Sequence, residues 1–166
     1  MRAHLADQEA TLALGALLAR VLTAPQTPGA PLPLLLTGEL GAGKTTLVRG
    51  LVAALPGADG AEVSSPSFNL LNLYPTTPPV AHFDLYRLAG GTPDDELLDQ
   101  LEDARALALV EWAERLDERF RPADGLLLRL EPEGSGRAAR LTPLGPGGEA
   151  AMGAVDEAWT NTAQGQ

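Results

Sequence analysis

The chain has 166 residues, the length of one ordinary domain, and its 45% hydrophobic and 20% charged residues are a globular composition. It has no cysteine, which excludes disulfides, thiolate metal sites and a cysteine nucleophile, and its net charge of −10 argues against autonomous binding to nucleic acid. No apolar run is long enough to span a membrane and MRAHLADQEA lacks an uninterrupted signal-like core, so a cytoplasmic protein away from membranes is expected.

In chain order, apolar residues at Leu12, Leu14, Leu18, Val21 and Leu22 after Asp7, a good N-cap, predict an amphipathic helix from 7 to 22. A Pro-rich linker, 23–33, leads into the apolar run Leu34-Leu35-Leu36-Thr37, a short buried strand. A helix from Lys44 to about Leu55 follows a Gly-rich loop and stops at Pro56-Gly57. Strands are predicted at 67–74 and 80–88, with Pro75-Thr76-Thr77-Pro78-Pro79 between them as the turn of an antiparallel hairpin. Thr92-Pro93-Asp94-Asp95 carries N-cap chemistry for a helix to about Ala104. Ala106 to Val110 reads as a buried parallel strand, followed by a helix over 113–120 and strands at 125–130 and 138–141. Residues 1–142 thus form one domain, and 143–166 is a Gly-, Ala- and Pro-rich tail with at most a short helix near 150–159. The alternation implies an α/β fold of the P-loop NTPase type, a three-layer sandwich whose mostly parallel sheet has antiparallel hairpin members.

The loop between the first strand and its helix is Gly38-Glu39-Leu40-Gly41-Ala42-Gly43-Lys44-Thr45, with Thr46 next. Glycines at the two fixed positions of this motif let the backbone curl and bring its N–H groups close to phosphates at a helix N-terminus. Lys44 would reach the β- and γ-phosphates and the Thr45 hydroxyl would ligate Mg²⁺. Residues 39–46 are therefore the expected nucleotide-binding stretch. Of the 12 basic residues 11 are arginine, and the single lysine occupies this motif position. An Asn-Lys-x-Asp guanine motif is excluded for the same reason, which leans the expectation toward ATP.

Such a site needs a strand-end carboxylate for the metal and a group that orients the nucleophile. Asp84, after Val80-Ala81-His82-Phe83, and Glu111, after Ala106 to Val110, are the two candidates, against the plain reading of solvated acids where strands meet loops. Ser67, in Ser65-Pro66-Ser67-Phe68, is either a switch hydroxyl near the γ-phosphate or a turn cap. Arg87 faces phosphate or solvent, His82 is more often a packed histidine than a ligand at such a place, and Trp112 is core or site wall.

Three stretches taken together resemble one family. GELGAGKTTLVRGL (38–51), SPSFNLLNLY (65–74) with HFDLYRL (82–88), and LVEWAERL (109–116) are similar to the TsaE family over about residues 7–131, including Glu9-Ala10-Thr11 and Leu14-Gly15 in the opening helix. The resemblance implies a protein that binds ATP with Mg²⁺ and hydrolyses it slowly. Such a protein supports the TsaB–TsaD complex in threonylcarbamoyladenosine (t6A37) modification of tRNA, without making that bond and touching tRNA only indirectly. It further implies that Thr45 and Asp84 serve the metal, that Glu111 is the essential acid beside the γ-phosphate and a third metal-site residue, and that Ser67 is the switch position. Lys44, Asp84 and Glu111 are then the catalytic set. The family's SPTF reads Ser65-Pro66-Ser67-Phe68 here, keeping the hydroxyl, and its VEWP reads Val110-Glu111-Trp112-Ala113. Two other readings stand beside this one: a small-molecule or nucleoside kinase, disfavoured because 89–105 is acidic where a lid would be arginine-rich, and a non-catalytic nucleotide-dependent interaction module.

Overall fold

A computed structural model describes residues 1–25, 31–59, 61–66, 69–88, 93 and 95–163. Seven strands form one sheet in the order β1-β7-β6-β2-β5-β4-β3: β1 (Arg2–Leu5), β2 (Leu34–Thr37), β3 (Leu71–Tyr74), β4 (Val80–Asp84), β5 (Leu107–Glu111), β6 (Gly125–Glu133) and β7 (Gly136–Leu144). The central strands β6, β2, β5 and β4 run parallel, and both edges are antiparallel, through β7 and β1 on one side and β3 on the other. The sheet is therefore parallel where the site lies and antiparallel at its margins.

Alternation along the strands divides the core between two faces. Leu34, Leu36, Leu107, Leu109, Leu126, Leu128 and Leu130 pack on one face under three helices: α1 (Gln8–Leu22), α2 (Lys44–Ala53) and α4 (Gly145–Ala163). Leu35, Ala81, Phe83, Ala108 and Val110 pack on the other with Leu97 of α3 (Asp95–Leu101) and Leu116. Helices on both sheet faces make the three-layer α/β sandwich that the strand and helix pattern predicts.

α1 begins where expected, because the Asp7 carboxylate accepts the Ala10 N–H at 2.8 Å. It meets α2 at two glycines: a Cβ on Gly15 would lie 2.9 Å from Leu51 N, and one on Gly50 would lie 2.7 Å from Leu12 Cα. Only residues without side chains allow the P-loop helix to seat this closely.

Several elements differ from expectation. β1 was not foreseen; its alternation covers four residues, too few to read, and its pairing with β7 defines it. The strand expected over 80–88 ends at Asp84, whose Oδ1 accepts the Tyr86 N–H at 2.9 Å and turns Leu85–Arg87 into a 3₁₀ turn. β3 starts only at Leu71, since Asn69 and Leu70 donate back to the Pro66 carbonyl. The helix expected over 113–120 is two 3₁₀ turns, Ala113–Arg115 and Glu118–Phe120, separated where Leu116 leaves helical geometry and buries in the second core. α3 spans Asp95–Leu101; Thr92 and Asp94 of its expected start lie outside the described residues.

The largest correction concerns the tail. Instead of a flexible segment with a short helix, α4 runs for 19 residues. The Asp124 carboxylate accepts the N–H groups of Gly147 at 3.0 Å and Gly148 at 2.7 Å, capping the first turn from a distant part of the chain. Ala151 and Val155 are buried, with Met152, Ala158 and Trp159 packed against the same core. That face is mostly alanine and glycine, so its apolar periodicity is faint in sequence although it fits closely on β6, β7 and α1.

Candidate functional site

β2 delivers the chain to the carboxyl edge of the sheet, and the Gly-rich loop turns there. Gly38, Gly41 and Gly43 have φ of 136°, 79° and 104°, a region open to glycine and costly for other residues. A Cβ on Gly38 would meet the Leu130 backbone, so the loop is pressed against β6. Gly43 starts α2 without a side-chain cap, leaving the first-turn N–H groups of that helix available to an anion.

Lys44 is 4% exposed, and its Nζ donates to the carbonyls of Gly38 at 2.6 Å and Glu39 at 3.0 Å. It lies 3.9 Å from the Trp112 ring centre. Burial holds its pKa below the usual 10.5, and the charges of Glu111, Glu114 and Asp84 oppose that shift.

The two strand-end acids are brought together by register, Asp84 opposite Glu111 and Glu111 opposite Leu36. Both are 2% exposed. Thr45 Oγ1 lies 2.9 and 3.1 Å from the two Glu111 oxygens and donates to that carboxylate. His82 Nε2 stands 2.9 Å from Glu111 Oε1; a carboxylate only accepts, so Nε2 carries the proton and donates. The other ring nitrogen faces the Tyr74 hydroxyl at 3.5 Å. Asp84 accepts from Ser65 Oγ and from the Tyr86 N–H. The Asp84 and Glu111 carboxylates and the Thr45 hydroxyl present oxygen atoms to the groove, and among the described residues no three His, Asp or Glu side chains converge as a complete metal cage.

A groove of about 440 Å³ opens above this set. Of the residues predicted for the site, Leu40, Gly41, Gly43, Lys44, Thr45 and Thr46 line it from the loop and helix. Asp84 and Glu111 line it from β4 and β5. Glu39 instead borders a neighbouring groove beside Arg2 and Glu133, and Ala42 is buried in the core. Ser67 lies outside the described residues; Ser65 is the hydroxyl that reaches Asp84. Trp112, left open as core or wall, is wall: its positive φ of 59° ends β5 and turns the indole over Lys44, with Tyr86 at 4.9 Å between ring centres. Arg87 also lines the groove. The reading of the residues did not single out Arg137 of β7, which borders the same groove. A lone arginine in a strand 94 positions beyond Gly43 carries no local signal.

A Gly-rich loop between a central parallel strand and a helix, with acids ending the two next strands, defines an α/β protein of the P-loop NTPase type. The model of the family described as threonylcarbamoyl adenosine biosynthesis protein TsaE matches residues 5–140, and the chain belongs to this family. It is 39% identical over 148 residues to the tRNA threonylcarbamoyladenosine biosynthesis protein TsaE of Nostoc sp., covering 84% of each chain. It is 44% identical over 101 residues to the TsaE protein of Streptomyces coelicolor, covering 58% of this chain and 66% of that one. The crystal structure of Bacillus subtilis YdiB superposes with a TM-score of 0.71 at 27% identity, over 95% of this chain and 94% of that one. Among the described residues no helix is long and apolar enough to cross a membrane.

Proposed function

We propose that this protein binds ATP with Mg²⁺ and hydrolyses it slowly, in support of the TsaB–TsaD complex that modifies adenosine 37 of tRNA. The observation that carries the reading is the convergence, in one groove, of an uncapped P-loop helix and Lys44 with the buried acids Asp84 and Glu111. The donor set of Thr45, Asp84 and Glu111 is all oxygen, the chemistry a hard divalent cation takes. These are the residues that would hold Mg²⁺, which when bound neutralises charge on the phosphates.

The chain's own groups do the rest. Backbone N–H groups of the loop and of the first turn of α2 receive the phosphate oxygens. Lys44 exchanges its carbonyl partners for the β- and γ-phosphates, a trade of neutral acceptors for charged ones. Glu111, held by Thr45 and His82, accepts a hydrogen bond from the attacking water and orients it. Trp112 and Tyr86 wall the site. The net charge of −10 supports tRNA contact through the partners; tight binding of tRNA by the isolated protein at physiological salt would count against this.

The test is phosphate release and nucleotide affinity, measured alone and with TsaB–TsaD. Turnover stimulated by that pair is expected. Glu111→Gln should keep ATP binding and slow hydrolysis by about a hundredfold or more. A wild-type protein that binds no nucleotide, a Glu111→Gln protein with normal turnover, or turnover that requires an added hydroxyl acceptor would each overturn the proposal.

A further inference from the structure

β6 and β7 continue past the end of β2. Thr37 is paired with Arg129, yet β6 runs on to Glu133 and β7 returns from Gly136, with Arg137 opposite Pro132. Four further residues of strand, roughly 13 Å, carry this hairpin beyond the carboxyl edge to the level of the P-loop. The hairpin flanks the loop there: Gly38 packs on the Leu130 backbone, and a Cβ on Gly43 would lie 3.0 Å from Arg137 Nε and 3.6 Å from its Cζ. Arg137 thus lies against the glycine that precedes Lys44, with its side chain on the groove. Its guanidinium makes no hydrogen bond or ion pair with any described residue, although the chain carries 22 acidic residues that could supply one. A half-buried guanidinium at the mouth of an anion site, with no carboxylate beside it, is placed for an anionic ligand.

Sheet order says which part of that ligand it meets. Asp84 and Glu111 approach the loop from β4 and β5, on one side of β2, and Arg137 approaches from β7 on the other. The acids that would hold the metal mark the end of the groove where the terminal phosphates sit. On the nucleotide reading, the opposite end, across the P-loop, is left for the α-phosphate and the nucleoside.

Resting on the nucleotide reading above, we infer that Arg137 is a second cation of the site, binding the α-phosphate end that ATP and ADP share. It is a binding residue for both nucleotides and takes no part at the γ-phosphate.

Arg137→Ala and Arg137→Gln, in the full chain with melting temperature as a folding check, test this by calorimetry. The probes are ADP and a non-hydrolysable ATP analogue, each with and without Mg²⁺. Loss of one charged hydrogen bond predicts affinity about ten- to a hundredfold weaker for both nucleotides, in equal proportion. The concentration of ATP that half-saturates turnover should rise in the same proportion as affinity falls. Unaltered affinity in both variants would overturn the inference. So would a loss confined to the ATP analogue with slower turnover, because that places Arg137 at the γ-phosphate. If the wild-type protein binds neither nucleotide, the failure belongs to the nucleotide reading itself.

Discussion

The seating of α2 on α1 gives the most direct physical test of how the P-loop is held. Gly50→Ala would place a methyl 2.7 Å from Leu12 Cα and 2.8 Å from its carbonyl carbon, where ordinary contact begins near 3.4 Å. The clashing atoms are backbone, with the Leu12 carbonyl oxygen closer still, so no side chain can swing aside and the helices must part by about 1 Å at that point. Overpacking of this kind costs about 1–3 kcal/mol, and the better helix propensity of alanine returns about 0.8–1 kcal/mol. With rigid backbone on both sides the upper part of that range applies, leaving a net loss of about 1–2 kcal/mol. For a domain of this size that lowers Tm by roughly 3–6 °C. The same substitution at Gly153, exposed in α4 with nothing within 4 Å of a new Cβ, should instead stabilise by about 0.5–1 kcal/mol. Thermal melts of both variants supply the comparison, and ATP titration adds a functional readout. The displaced α2 carries Lys44 and Thr45 at its start, so Gly50→Ala should also weaken nucleotide affinity. If both variants melted at or above the wild-type temperature, the close crossing of the two helices would be refuted.

Three further outcomes are expected. Because burial lowers the Lys44 pKa, ATP affinity should fall on the alkaline side before pH 10.5, whereas Lys44→Arg should show no decline in that window; calorimetry across pH decides it. The unfolded chain holds that proton more tightly than the folded one, so the Lys44 contribution to stability should rise with pH from its folded pKa up to 10.5. His82→Phe keeps most of the buried volume but removes the Nε2–H donor from Glu111; urea unfolding should show a loss of about 1.5–3 kcal/mol, and wild-type stability would contradict the hydrogen bond.

What the sequence disclosed and what it withheld divide by the range of the interaction. The P-loop is a local statement: three glycines take positive φ within six residues, and a lysine and a threonine follow on the first turn of a helix. The strand-end acids were legible because an apolar run that stops at a carboxylate marks a sheet edge, and β4 and β5 each do so. Asp124 as the cap of α4, β1 as the partner of β7, and Arg137 against Gly43 each join residues more than twenty positions apart. No window of the chain contains both members of such a pair, so helix 145–163 read as a tail and Arg137 was not singled out.

The acidity takes on a narrower meaning in the same light. A net charge of −10 describes the average surface, and it is the right quantity for a large polyanion such as tRNA, which meets much of that surface at once. A nucleotide meets only the groove, where Lys44, Arg87 and Arg137 gather around the loop and Arg115 lies 5.5 Å from the Trp112 ring centre. Asp84 and Glu111 stand among these cations, buried and already hydrogen-bonded. The groove thus gathers basic side chains within an acidic chain, and on the proposed function that contrast would let it take a small phosphate ligand while tRNA contact falls to partner proteins.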